Sequence, residues 1–165
     1  YGSKLLLETV VDSSFSYHSI LDVGCGYGTL GIILNKVYDC PTTMIDINKR
    51  ALHLTKRNIL ENKCNDILVF ESDAYEKIEA KYDLIVTNPP IHAGKKKVYE
   101  ILLEAKNYLS ENGKLFFVIH KDQGAKSVVR DLSEKYKIEV LRKEKGFFII
   151  LAQNCWLVAR SVLII

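Results

Sequence analysis

The feature that most constrains this chain is a series of short apolar runs. Each is closed by a glycine, an acid or a proline pair, and segments with helical spacing lie between them. Ile20–Val23 ends at glycines, residues 42–45 end in Asp46, residues 67–70 end near Asp73, and Tyr82–Thr87 is stopped by Asn88-Pro89-Pro90. Two successive prolines cannot continue a strand ladder. Helical spacing is read over residues 3–11, 29–37 and Lys49–Glu61. Further on, the pattern predicts a helix over 97–109 stopped by Asn112-Gly113, a strand over 114–119 and a helix over 124–136. Runs at 138–141 and 147–151 are separated only by a short charged turn with Gly146. They must form an antiparallel hairpin, because a parallel link needs a longer crossover. Strand and helix thus alternate five times before a hairpin closes the chain. The expected class is α/β, with a mostly parallel sheet covered by helices on both faces and an antiparallel last strand.

Length and charge narrow the options. The 165 residues suit one domain, taken as 1–153, and 48% hydrophobic content can fill a core. The stretch 154–165 is apolar and follows what should be the last strand. An extra strand, a packed tail and a non-native extension are all open for it. The net charge of +3 permits a nucleic-acid partner without demanding one. The four cysteines, Cys25, Cys40, Cys64 and Cys155, form no C-x-x-C pair and have no histidine at a ligand offset. No metal is therefore expected, and free thiols in a reducing cytoplasm are. Residues 4–9 are too short for a signal peptide. No apolar run reaches the roughly 18 residues that span a bilayer. The chain starts at Tyr1, which leaves room for a missing N-terminal piece.

The first strand leads into Asp22-Val23-Gly24-Cys25-Gly26-Tyr27-Gly28. Glycines let a ligand approach the backbone closely, and the next helix offers free N–H groups. Open α/β sheets bind ligands at this carboxyl edge. Gly26-Tyr27-Gly28-Thr29-Leu30-Gly31 also matches the dinucleotide fingerprint G-x-G-x-x-G. Asp22 favours S-adenosylmethionine instead: an acid at the strand end can face that cofactor's ammonium, where a dinucleotide site usually has an apolar residue. Asp46, with Ile47 beside it, is placed to hold ribose hydroxyls, or else to serve as a turn residue before the good cap Asn48. Asp73 is placed to accept from an adenine amino group, with Ala74 contributing its backbone N–H, or else to cap a short helix. Cys25 has no base beside it in sequence, so it is not expected to be a nucleophile.

Asn88-Pro89-Pro90-Ile91 follows the fourth strand, beside the glycine loop if the first and fourth strands are adjacent. An amino group on a base is a weak nucleophile, since its lone pair is delocalised into the ring. Asn88 Oδ1 and the Pro89 carbonyl can accept its two N–H bonds and aim the lone pair at a methyl carbon. Such catalysis is positioning and electrostatics. His92, Lys95 and Lys96 follow and are candidates for contact with substrate, the lysines through phosphates.

With these residues in view, the chain resembles the class I S-adenosylmethionine-dependent methyltransferases. That resemblance implies a Rossmann-like three-layer sandwich with a seven-stranded sheet, S-adenosylmethionine as cofactor and S-adenosylhomocysteine as product. It matches Asp22, Gly24, Gly26 and Gly28 to the cofactor loop, Asp46 and Asp73 to the ribose and adenine acids, and Asn88 to Ile91 to the amino-group motif. Thr87-Asn88-Pro89-Pro90-Ile91-His92-Ala93-Gly94-Lys95 and Tyr1-Gly2-Ser3-Lys4-Leu5-Leu6-Leu7 are similar to the small-domain ribosomal RNA guanine-N2 methyltransferases. This implies ribosomal RNA or the small ribosomal subunit as partner. Amide or adenine N-methyltransferases are the alternative, but they usually carry an aromatic residue where Ile91 stands, one that stacks on the substrate. A non-catalytic partner subunit is the third option.

Overall fold

The computed structural model describes residues 1–154. The elements in chain order are α1 (Gly2–Asp12), β1 (Ile20–Val23), α2 (Thr29–Tyr38), β2 (Thr42–Asp46), α3 (Lys49–Glu61), β3 (Ile67–Glu71), β4 (Tyr82–Thr87), α4 (Gly94–Glu104), β5 (Leu109–His120), α5 (Ala125–Leu132), β6 (Tyr136–Glu144) and β7 (Phe147–Asn154). The seven strands form one sheet in the order β3-β2-β1-β4-β5-β7-β6. β1 pairs in parallel with both β2 and β4, and β4 pairs in parallel with β5. β7 runs antiparallel to both of its neighbours. The stretch assigned above to a tail lies outside the described residues, apart from Asn154, which ends β7.

Alternation along each central strand sends successive side chains to opposite faces. Leu84, Val86, Phe116 and Val118 pack against Leu5, Leu6 and Val10 of α1 and against Leu30 and Leu34 of α2. Leu21, Ile85, Phe117 and Ile119 face Ile101 and Leu102 of α4 and Val128 and Leu132 of α5. Met44 and Leu52 join α3 to the first of these faces, beside Ile32 of α2. Each fully buried Leu, Ile or Phe contributes roughly 1.5–3 kcal/mol, so β1, β4 and β5, buried on both sides, are the rigid floor beneath the carboxyl edge.

Three boundaries differ from the sequence expectation. The helix expected over 97–109 begins at Gly94, and Leu109 already opens β5. Asn112-Gly113 is not a stop but part of a bulge inside β5, since Leu109 pairs with Tyr82 and Lys114 with Leu84. A Cβ on Gly113 would lie 2.8 Å from the Tyr82 carbonyl oxygen, so glycine is there for close approach between strands. The helix expected to reach Tyr136 ends at Leu132, and Tyr136 opens β6. Its buried hydroxyl donates to the Leu102 carbonyl at 2.6 Å, a contact across 34 residues. Between β3 and β4 there is no helix. Tight turns at Asp73–Glu76 and Tyr75–Ile78 replace it, and buried Tyr75 fills that layer while its hydroxyl donates to Ile101 O.

Candidate active site

β1 and β4 end side by side, with Val23 opposite Thr87. The Thr87 hydroxyl donates to the Val23 carbonyl at 2.8 Å and ties the two strand ends together. The glycine loop and the Asn88-Pro89-Pro90 segment therefore leave the sheet as neighbours. Beside them opens a cleft of about 1140 Å³, lined by Gly24, Gly26, Asp46, Ile47, Asp73, Ala74 and Pro90, with His92, Ala93 and Lys97 among its other walls. That volume accommodates a nucleoside-sized cofactor.

The loop glycines divide their work. Gly24 and Gly26 have φ of +72° and +55° and line the cleft. Gly28, at φ +92°, faces the protein: a Cβ there would come within 2.8 Å of Thr55 Cγ2. Gly31 likewise leaves room for Met44 Cε and Asp22 Oδ2, which would stand 2.7 and 2.9 Å from its Cβ. The loop is also held from α3, where the Thr55 hydroxyl donates to Gly26 O and the Asn58 amide to Tyr27 O.

Asp22 does not reach the cleft wall. It is 2% exposed, and its Oδ2 accepts from the Gly31 N–H at 3.0 Å. Burial pushes its pKa up to about 7; the Gly31 bond opposes that shift and the nearby Asp46 charge adds to it. Burial also pushes the Cys25 thiol far above its usual range, helped by Asp22 and Asp46, which leaves no thiolate for nucleophilic attack.

Asp46 braces the cleft. Its Oδ2 accepts from Gly26 N at 2.9 Å and its Oδ1 from Asn48 N at 2.8 Å. The cap of α3 is Asn48 itself, whose side chain accepts from Arg50 N and Ala51 N. Each Asp46 oxygen retains a second lone pair that can accept a ribose hydroxyl. Ile47 is 61% exposed on the wall beside it. At Asp73 the structure adds a partner absent from the sequence reading: Lys97 Nζ lies 2.7 Å from Oδ1 and 3.0 Å from Glu100 Oε2. Ala74 lines the cleft in a left-handed conformation, at φ +49°.

Asn88 is exposed, and its Nδ2 donates to Ser3 Oγ at 2.9 Å. That bond fixes the amide and leaves Oδ1 as the end able to accept from a substrate. Ser3 could not be found from local pattern, since it lies 85 residues away on α1. Ile91 opens a 3-10 turn, Ile91–Ala93. His92 lies on the cofactor-sized cleft, Lys95 borders a second, smaller cavity, and Lys96 lines neither. Among the described residues there is no group of three metal-ligating side chains. No helix among them is long and apolar enough to cross a membrane.

Residues 1–151 match the family model described as methyltransferase small domain. The chain belongs to this methyltransferase family. Similar proteins include a YbxB protein of Bacillus subtilis strain 168, described as uncharacterized. It is 37% identical over 158 residues, covering 93% of this chain and 78% of that protein. Another is the ribosomal RNA small subunit methyltransferase C of Haemophilus influenzae strain PittEE, 37% identical over 122 residues. That match covers 71% of this chain and only 36% of the relative, so the chain spans about a third of that protein. In fold, the domain superposes on the T. thermophilus 16S rRNA N2 methyltransferase solved with AdoMet and guanosine. The TM-score is 0.83 at 22% identity, over 93% of this chain and 43% of the other. The small methyltransferase domain described here uses S-adenosylmethionine, and the cleft beside Gly24, Asp46 and Asp73 has the size and donor set to fit it.

Proposed function

We propose that the chain methylates the exocyclic N2 amine of a guanine in ribosomal RNA, with S-adenosylmethionine as methyl donor. The observation that carries this reading is Asn88, fixed by Ser3 at the end of β4, with the next two residues, Pro89 and Pro90, lining a second cavity and the cofactor-sized cleft in turn. The names of the Haemophilus relative and of the Thermus structure support the RNA and the N2 position.

Gly24 and Gly26 admit the amino-acid part of the cofactor against bare backbone. Asp46 accepts from the ribose hydroxyls, Asp73 and the Ala74 N–H meet the adenine edge, and Ile47 covers its face. Asp22 acts from behind the loop, where its carboxyl oxygen accepts from the Gly31 N–H and ties the strand end to α2. Bound there, S-adenosylmethionine supplies a methyl group activated by a positive sulfur. Asn88 Oδ1 and the Pro89 carbonyl accept the two N–H bonds of the amine and hold its lone pair out of the ring plane. The prolines carry no N–H that could compete for those acceptors. Exposed Lys95 and Lys96 at the start of α4, with Lys121 in the turn after β5 and Lys126 at the start of α5, put positive charge along the same edge for RNA phosphates.

The test is labelled methyl transfer to ribosomal RNA from cells lacking the enzyme, followed by nucleoside analysis. N2-methylguanosine is expected, and any other labelled nucleoside refutes the substrate. Asn88→Ala is expected to slow transfer by roughly 10²–10³-fold, with cofactor affinity by calorimetry essentially unchanged. An unchanged rate refutes the positioning role.

A further inference from the structure

A second cavity, of about 300 Å³, opens on the other side of Asn88-Pro89-Pro90 from the cofactor cleft, between the starts of α4 and α5. Pro89 lines it, so the carbonyl assigned above to the amine belongs to its rim residue. Val98, Ile119 and Val128 give it apolar walls, while Asp122 and Gln123, in the turn after β5, bring polar groups to it. A small slot with apolar walls and polar groups at its edge suits a planar base.

Lys95, Tyr99 and Ser127 are the other polar residues on the cavity walls. Asp122 and Gln123 are fixed in opposite senses. Gln123 Oε1 accepts from the His120 N–H at 2.9 Å. Its amide is thereby oriented, and Nε2 is the end left to donate to a ligand. His120 Nδ1 accepts from the Asp122 N–H at 3.1 Å, and the Asp122 carboxylate lies 3.4 Å from the same nitrogen. The carboxylate, 80% exposed, is left as an acceptor. One acceptor beside one donor matches the N1–H and O6 edge of guanine. Adenine turns a lone pair at N1 and an amino group towards the same pair, and both are mismatched.

We infer that this cavity receives the target base, and that Asp122 and Gln123 select guanine by accepting from N1–H and donating to O6. The inference rests on the guanine-N2 reading above and adds the residues that recognise the base. Asp122→Asn and Gln123→Glu test it. Glutamate keeps an oxygen for the His120 N–H while removing the donor, and Asp122 is exposed, so both variants keep the fold.

Wild type and variants, saturated with S-adenosylhomocysteine, are titrated with guanosine, with 2-aminopurine riboside (which keeps the 2-amino group but lacks N1–H and O6) and with adenosine. Backbone amide shifts of Gly124, Ser127 and Val128 are followed by NMR. Guanosine is expected to shift these amides and to bind about tenfold or more tightly than the other two, given roughly 1–3 kcal/mol for a good paired contact. Each variant is expected to lose that preference while S-adenosylhomocysteine affinity stays unchanged. Shifts elsewhere, no shift up to the solubility limit, or a preference intact in both variants overturns the inference. The nucleoside analysis of wild-type product separates the two levels: a product other than N2-methylguanosine sinks the function, whereas N2-methylguanosine made by indifferent variants sinks only the recognition.

Discussion

At Asp22, burial outweighs the one hydrogen bond that the carboxylate accepts, and the pKa rises from 3.8 to about 7. Between those values the folded chain holds a proton that the unfolded chain has released. Stability from this residue therefore falls as pH rises from about 4 to about 7, by roughly 4 kcal/mol at most. Asp22→Asn cannot ionise and can still accept from Gly31. It is expected to raise the melting temperature at pH 8 and to leave it nearly unchanged at pH 4. An equal shift at both values would show that the carboxylate is not penalised. At Ser3 the expectation is kinetic. Ser3→Ala frees the Asn88 amide to rotate and lowers kcat about tenfold, with KM for the cofactor unchanged, while Ser3→Thr retains the rate. Equal loss in both variants would point to packing instead. The residues visible in the sequence, Asp22, Asp46, Asp73 and Asn88, all stand where a strand stops, a position that local pattern marks. Ser3, Lys97 and Gln123 were invisible because their roles come from partners or a cavity that only folding assembles.

Among the elements, the start of α2 is the most constrained. Gly28 combines φ of +92° with a Thr55 methyl 2.8 Å from where a Cβ would sit. Gly28→Ala is expected to cost roughly 2–4 kcal/mol, combining backbone strain with overpacking. Urea denaturation measures it, and a loss below about 1 kcal/mol would mean that the loop relaxes freely. Gly26→Ala meets no atom within 4 Å and is expected to suffer only the strain of its φ. The sequence showed β1, β2 and β4 because their apolar runs end in glycine, acid or proline. It misplaced the start of β5 because Asn112-Gly113, ordinarily a turn signal, is absorbed in a bulge against Tyr82. It carried α5 through to Tyr136 because that residue suits either period, and the choice is made by its hydroxyl bond to Leu102 O.

Over the whole molecule, α1, α2 and α3 cover one face of the sheet and α4 and α5 the other, and the proposed site lies astride their shared edge. Lys96 at the start of α4 and Lys121 in the turn before α5 stand at the proposed RNA edge, so RNA affinity is expected to fall with salt. Lys96→Ala with Lys121→Ala should reduce the slope of log K against log salt by roughly 0.7–0.9 per charge removed, measured by filter binding. An unchanged slope would place the RNA elsewhere. The plain turn between β3 and β4 also divides the chain by task. Most of the cofactor cleft is built by the chain up to and including the turn's first residues, between Val23 and Ala74, and the whole of the second cavity after it, between Pro89 and Val128. Such a chain can be recombined. A chimera joined within residues 79–81 should inherit its cofactor affinity from the parent of the first segment and its choice of base from the parent of the second.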